Sequence, residues 1–364
     1  MFLPILKTVI GKNLGIDSLL TPIILHLTVS NRCNSRCSMC NIWKEDRKED
    51  IKLKCLTKYK NSPFGRYLRI LDITGGEPFL CDVPSIIKAV DNGKIRLILI
   101  STNGFLSEKI ERDLKSILNM TRSNIIIDVS IDGIGKKHDE IRGVVGAYER
   151  ALGTVKRLKS LREDRIRISW KLTILKENLE QIVDCYKKAK ELDVDFTCKP
   201  GANFGFLHND DMDFELKKED CKKIINALME IQGLRRNNRN NKGLSLWERV
   251  FIVANDLFHD KLIEYYKILR EGSKSMITPC YSSFLSMMLH NDGIIYSCPT
   301  LMQEMGDVDE NSLKSIWLSD NAKKIRKFIN AKRCACFSQC DQMPSIVMGN
   351  IPKIIKGVIV SYLG

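Results

Sequence analysis

The chain has no long apolar run. No uninterrupted stretch of its 364 residues is long enough to span a bilayer as a helix. The first ten residues are apolar, but Lys7 interrupts them and no small-residue cleavage site follows, so they do not read as a secretory signal. Internal repeats and low-complexity tracts are missing as well. Together these absences place the chain in the cytoplasm, where thiols stay reduced. There, thirteen cysteines favour metal binding over disulfides. The length and 44% apolar content suit one large domain and a smaller one.

The formal net charge is +14, without a single basic stretch to account for it. Lysine pairs such as Lys187-Lys188, Lys217-Lys218 and Lys323-Lys324 fall on expected helices. The run Arg235-Arg236-Asn237-Asn238-Arg239-Asn240-Asn241-Lys242 reads as a solvated loop. A basic surface attracts nucleic acid, anionic lipid or acidic substrates, but so diffuse a charge needs no specific partner.

Cysteine is clustered in two places. The first is Cys33-Asn34-Ser35-Arg36-Cys37-Ser38-Met39-Cys40, a C-x3-C-x2-C pattern with no fourth cysteine at ligand spacing. A [4Fe–4S] cluster takes four cysteine thiolates, one per iron, so three leave one iron open to a ligand that is not protein. Taken alone, the triplet could equally belong to a zinc site. Some forty residues on, Thr74-Gly75-Gly76-Glu77-Pro78 ends an apolar run. Together the two motifs resemble the radical S-adenosylmethionine (SAM) family. The resemblance implies that the open iron is chelated by the methionine moiety of SAM. It implies that the reduced cluster cleaves SAM to a 5′-deoxyadenosyl radical, with an electron from a donor such as flavodoxin or ferredoxin. It also places Gly75, Gly76, Glu77 and Pro78 at the methionine amino group. Met39 stands where the family usually has an aromatic residue near the adenine; it is apolar and adaptable enough to fill the same space.

Short β-branched runs alternate with helical patterns along the same region. The strands are read at Ile23–Val29, Arg69–Ile73, Ile95–Ile100, Ile125–Val129, Ile166–Leu175 and Val194–Lys199. Helical spacing is found over Pro84–Val90, Ser107–Leu118, Ala147–Leu161 and Leu179–Leu192. The strands are almost wholly apolar, the pattern of parallel strands buried on both faces. Six right-handed βαβ units predict an α/β fold, a partial (β/α)6 TIM-like barrel. Each polar signature follows a strand end, where barrel enzymes build their sites. Ser101, Asn103, Ser130 and Asp132 are such residues, with groups suited to ribose or carboxylate, though short polar residues also form ordinary turns. Arg142 matches an arginine that in related enzymes approaches the SAM carboxylate, a task suited to a guanidinium fork.

The second cluster is Cys280, Cys298, Cys334, Cys336 and Cys340. The C-x12-G-x4-C opening, with Gly293 in a hairpin turn, resembles the SPASM extension of radical SAM enzymes. The full extension holds two auxiliary clusters. Here Cys334-x-Cys336 is shortened and no cysteine follows Cys340, which implies one auxiliary [4Fe–4S] cluster, as in the "twitch" form. The ligands expected are Cys280, Cys298 and Cys340, with Cys336 or Cys334 completing the set; zinc is the rival occupant. Cys55, Cys81, Cys185, Cys198 and Cys221 are isolated and read as buried apolar residues, with Cys198 alone able to face the chamber.

The organisation expected is a lead-in over 1–21, a radical SAM core over 22–225, a helical connector over 226–274, an auxiliary-cluster domain over 275–342 and an amphipathic tail over 343–364. Residues 1–21 are too few for the peptide-binding domain that many peptide maturases carry, which favours a small-molecule, sugar or lipid-precursor substrate, free or carrier-bound. A peptide or protein maturase is the alternative within the family. A non-catalytic, zinc-stabilised nucleic-acid-binding protein is the alternative from another class. It finds support only in the charge, and the strand-end motifs speak against nucleic acid. The apolar, basic termini also suggest peripheral contact with the inner face of a membrane. No catalytic residue beyond the SAM cluster can be named from the sequence.

Overall fold

In a computed structural model, which describes residues 2–46, 48–237, 244–273, 278–332, 336–337 and 339–363, the six apolar runs are six parallel strands in sequence order. A first helix, α1 (Phe2–Leu14), precedes β1 (Ile24–Thr28). Then follow α2 (Leu53–Asn61), β2 (Ile70–Thr74), α3 (Val83–Val90), β3 (Leu97–Thr102), α4 (Ser107–Met120) and β4 (Asn124–Ser130). The core continues through α5 (Lys136–Arg142), α6 (Ala147–Lys159), β5 (Ile166–Ile174), α7 (Ile182–Glu191) and β6 (Asp195–Pro200). Two long helices, α8 (Lys218–Asn237) and α9 (Leu246–Arg270), lead to β7 (Ser286–Leu289), β8 (Ile294–Tyr296) and β9 (Glu304–Asp307). The chain then runs through α10 (Leu313–Trp317), α11 (Asp320–Asn330), α12 (Gln339–Gly349) and α13 (Ile351–Leu363).

The strands form one sheet in the order β6-β5-β4-β3-β2-β1-β7-β8-β9. Strand β7 pairs parallel to β1, with Leu25 opposite Met287, and the antiparallel β8 and β9 follow it. The segment expected as a separate small domain therefore continues the core sheet. Its residues Met287, Ile295, Ile316 and Trp317 belong to the same apolar core as Leu25 and Ile100.

The strands are not apolar on both faces. Leu25 and Leu27, Leu71 and Ile73, Ile98 and Ile100, Ile125 and Ile127, and Trp170 and Leu172 alternate onto the core face. Each such side chain, fully buried, contributes about 1.5–3 kcal/mol. The opposite face is polar near the strand ends: His26 and Thr28, Asp72 and Thr74, Ser101, Asp128 and Ser130, Lys171 and Thr173, Lys199. A period of two separates these sets because successive strand side chains point to opposite faces. Cys198 lies on the core side, wholly buried, with its thiol pushed up to about 12 by burial; it does not face the chamber. Cys55, Cys81, Cys185 and Cys221 are buried in the core.

Two stretches differ from their sequence reading. Helix α2, from Leu53 to Asn61, has no counterpart among the helices read from the sequence; its buried Cys55, Leu56 and Tyr59 share one face that the intervening lysines mask. Arg235, Arg236 and Asn237 form the last turn of α8 rather than a loop, and the remainder of that basic run, 238–242, lies outside the described residues. Helix α9 begins at a capping box in which Ser245 and Glu248 satisfy each other's backbone N–H.

Candidate active site

The loop of Cys33, Cys37 and Cys40 follows β1 and is clamped from two sides. On one side the backbone after β2 lies directly on it. Gly76 N–H donates to Ser30 O (2.8 Å) and Glu77 N–H to Arg32 O (2.8 Å). A Cβ on Gly75, whose φ is +146°, would sit 2.4 Å from Ser30 O, and one on Gly76 would sit 2.1 Å from Arg32 O. The two glycines are there because backbone meets backbone. On the other side is the C-terminus of α5. Arg36 N–H donates to Arg142 O (2.9 Å), Ser38 N–H to Ile141 O (2.8 Å) and the Ser35 hydroxyl to Arg142 O (3.0 Å).

This clamp turns the three cysteines onto one cavity, shared with Met39, Gly75, Gly76, Ser101, Asn103, Ser130 and Arg142. Ser35 Oγ lies 3.1 Å from Cys37 Sγ, and Arg142 Nη1 donates to the same sulfur at 3.7 Å. Burial pushes the Cys33 thiol up to about 12, with Cys37 and Cys40 adding repulsion. Burial likewise lifts Cys40 to about 11, against the pull of Arg142 and Lys199. Thiols whose ionisation is opposed by burial and by a neighbouring cysteine, as at Cys33 and Cys40, suit a cationic group that would hold them as thiolates. Among the described residues no three His, Cys, Asp or Glu side chains converge closely enough for a single metal ion. An iron–sulfur cluster does not require such convergence, since each thiolate meets its own iron. The donor set therefore fits a cluster, and the polar strand-end residues around it fit a small polar ligand.

Three residues expected at the ligand stand behind the wall instead. Glu77 is fully buried; its carboxylate accepts from the Thr102 hydroxyl (2.7 Å), Asn103 N–H (2.7 Å) and Phe79 N–H (3.1 Å). Burial raises its pKa, an effect those donors partly offset. Glu77 thus ties the loop after β2 to that after β3. Pro78 is buried at the start of a 3-10 turn. Asp132, also fully buried, pairs with Arg142 Nη2 (2.5 Å) and accepts from Thr173 N–H (2.7 Å). Its own N–H donates to His138 Nδ1 (2.9 Å). Although burial works against the charge on Arg142, Asp132 and Cys37 hold its pKa above the ordinary arginine value. Asp132 is a positioning residue for Arg142.

The sequence reading missed the rest of the wall. His26 Nδ1 lies 2.8 Å from Asp72 Oδ2, and Lys171 Nζ lies 2.7 Å from Asp128 Oδ2. All four are at least nine-tenths buried, and His26, Asp72 and Lys171 line the cavity itself, as does Lys199. Trp43, Phe204, Phe206 and Phe214 add an aromatic side. The signal that could have found the charged pairs is the two-residue alternation inside β1, β2, β4 and β5.

Of the second cysteine group, Cys280 and Cys298 are buried and Cys336 is half-buried. Ser282 N–H donates to Cys280 Sγ (3.4 Å) and Leu301 N–H to Cys298 Sγ (3.3 Å), the local pattern of a sulfur held as an acceptor. Cys334 lies outside the described residues, as does the side chain of Cys340. Pro299, next to Cys298, lines the cavity, and Gly205 N–H after β6 donates to Thr300 O (3.4 Å). The turn carrying Cys298 therefore adjoins the chamber.

Residues 27–189 match the family model described as the radical SAM superfamily, and residues 280–342 match an iron–sulfur cluster-binding domain, SPASM. The pre-heme d1 synthase of Dinoroseobacter shibae is 29% identical over 171 residues, 46% of this chain and 40% of that protein. The AdoMet-dependent heme synthase of Methanosarcina barkeri is 26% identical over 265 residues, 71% of this chain and 70% of that protein. The matched stretch thus spans less than half of the first relative. Among solved structures, Streptococcus suis SuiB bound to its precursor peptide SuiA superposes with a TM-score of 0.61 at 18% identity. That match covers 88% of this chain and 70% of SuiB.

Proposed function

Because this chain belongs to the radical SAM superfamily and carries a SPASM domain, we propose that it is a SAM-cleaving enzyme whose substrate enters the polar lumen beneath the Cys33–Cys40 loop. The observation that carries this reading is the clamp that turns three cysteines, Arg142 and the strand-end polar groups onto one cavity. Cys33, Cys37 and Cys40 would hold a [4Fe–4S] cluster, and the cavity residues Gly75, Gly76, Ser101, Asn103, Ser130 and Arg142 would hold SAM against it. With an electron from an external donor, that pair would supply the radical chemistry needed to abstract hydrogen from an unactivated C–H bond.

The protein's own part is placement and shielding. Arg142, fixed by Asp132, keeps a positive charge beside Cys37. Met39, Trp43, Phe204 and Phe214 exclude water from one side of the chamber. His26, paired with Asp72, and Lys171, held by Asp128, present polar groups to a substrate. Cys280, Cys298 and Cys340, with Cys336 or Cys334, would hold a second cluster; Cys298 adjoins Pro299 of the chamber lining, which suits electron exchange with the chamber.

A small organic substrate, free or carrier-bound, is the favoured class, since the polar groups sit deep within the strands rather than along an open groove. A peptide is the second reading, in line with the peptide seen on SuiB. Anaerobic reconstitution of the full chain tests the central claim. About eight irons with dithionite-dependent 5′-deoxyadenosine formation are expected. Cys33→Ala, Cys37→Ala and Cys40→Ala should each lose about four irons and all cleavage, while Cys280→Ala loses about four irons and keeps cleavage. Cleavage surviving in all three triplet variants, or zinc taken up in place of iron, would sink the reading.

A further inference from the structure

The exposed apolar side chains are not scattered. Among the described residues fourteen large apolar side chains are exposed, and eight of them lie on the two terminal helices. Helix α1 exposes Leu3, Leu6, Ile10 and Leu14. Their spacing of three to four residues puts them in one stripe. The opposite face of α1 is occupied, with Ile5 and Val9 packed against a cluster that holds Ile23, Tyr281 and Leu285. Thr21 N–H also donates to the α1 hydroxyl of Thr8 (3.0 Å). Helix α13 exposes Ile351, Ile355 and Ile359 at spacings of four, with Val360 beside them. Its inward face holds Ile354 and Val358, and Gly357 lies close against Val253 of α9.

The two helices are linked in space through α12. Met348, near its C-terminal end, packs against the same buried cluster of Tyr281 and Leu285 that Ile5 and Val9 of α1 cover, and α13 follows that end at a bend of 80°. Their charge is of one sign. Neither α1 nor α13 contains an acidic residue; α1 carries Lys7 and Lys12, and α13 carries Lys353 and Lys356. Lys12 turns inward, its ammonium 4.4 Å from the centre of the Phe284 ring. The other three lysines are exposed. By helical rotation Lys7 falls on one edge of the α1 stripe and Lys356 on one edge of the isoleucine stripe of α13, with Val360 and Lys353 beyond it on the exposed side. No single described helix is long and apolar enough to cross a membrane.

We propose that α1 and α13 form a membrane-docking surface, in which the two apolar stripes enter the interfacial layer of an anionic bilayer and the flanking lysines Lys7, Lys353 and Lys356 meet lipid phosphates. Apolar side chains in contact with water gain free energy by entering the acyl boundary, and the lysine stems let their ammonium groups reach the headgroups. The exclusive use of lysine selects an anionic surface, since each such charge near it adds attraction that salt screens. A protein docking partner would not require charge of one sign on both helices. The proposal is independent of the chemistry in the chamber.

The test is flotation of the full chain with vesicles of phosphatidylcholine containing about 30% phosphatidylglycerol, and with pure phosphatidylcholine. Retention is expected on the anionic vesicles, falling several-fold on neutral ones and in about 0.5 M salt, where surface charges are strongly screened. Leu6→Glu/Ile10→Glu and Ile355→Glu/Ile359→Glu should each weaken retention by about tenfold, because a charge replaces an inserted side chain. Both pairs are exposed, so the melting temperature should hold. Lys7→Gln/Lys353→Gln/Lys356→Gln keeps both apolar stripes and should remove most of the preference for anionic vesicles. Wild-type protein left at the bottom of the gradient overturns the proposal, as does retention unchanged in both glutamate variants. So does a concentration-dependent dimer that the glutamate variants dissolve without any vesicle binding, which would assign the face to a second copy of the chain.

Discussion

The rim of the chamber and its floor are built on the same six strands but are held in place by different means. The rim lies beyond the strand ends and depends on backbone contacts. Gly75 and Gly76 rest on the chain at Ser30 and Arg32, and the carbonyls of Ile141 and Arg142 accept from the cysteine loop. The floor lies inside the strands, where ladder register fixes the backbone and ion pairs fix the side chains. Asp128 is placed by the β4–β5 ladder and Lys171 reaches it at 2.7 Å. A substitution at the rim should therefore move chain, whereas one at the floor should change charge on an unmoved backbone. That difference suits a rim that handles cofactors and a floor that reads substrate.

The sharpest way to break the comparison is Arg142→Ala. It leaves Asp132 charged, buried and unpaired, and it removes the donor to Cys37. A loss of about 4 kcal/mol of stability is expected in anaerobic urea unfolding, together with loss of SAM cleavage. If the variant unfolds like wild type and cleaves SAM normally, the rim is not coupled as described. Lys171→Met, at the floor, should cost about 3 kcal/mol by leaving Asp128 unpaired, and Lys171→Met/Asp128→Asn should recover most of it. Both should keep SAM cleavage without substrate within about threefold of wild type, a difference under about 1 kcal/mol. A collapse of cleavage in the double variant would show that floor and rim are one unit.

The smallest effect concerns pH. Burial, with Arg142 nearby, pushes His138 down to about 2, so it stays neutral and accepts from Asp132 N–H. In the unfolded chain it takes up a proton near about 6.5, so the stability it supports is present above that pH and lost as pH falls below it. Between about pH 7.5 and 5.5 this one proton should cost about 1.4 kcal/mol. His138→Asn retains an acceptor and should lose that share of the slope; His259, also held low by burial, keeps a share of its own. An unchanged slope would mean that His138 is charged in the folded state.

Much of this was legible in advance where the chemistry demands a local pattern. Cys33, Cys37 and Cys40 occupy eight consecutive residues, and Gly75-Gly76 announces a close backbone approach, so both could be read without a fold. The strands were legible because their core faces are runs of Leu and Ile. Glu77 and Asp132 were read as ligand contacts because residue type and strand-end position do not say which way a side chain turns. Both turned inward, where buried N–H groups and a guanidinium needed acceptors. Helix α2 was hidden because three apolar residues among lysines signal a helix only when a surface exists for them to cover.

The sequence by itself determined the parallel α/β class, the clustering of the first three cysteines and the presence of a second cysteine group, since each follows from neighbours along the chain. Tertiary structure alone decided that His26 meets Asp72, that Asp128 meets Lys171, that β7 extends the core sheet beside β1, and that Cys298 stands next to the chamber. Those contacts join residues far apart in the chain, and strand register and packing, rather than local preference, set their distances.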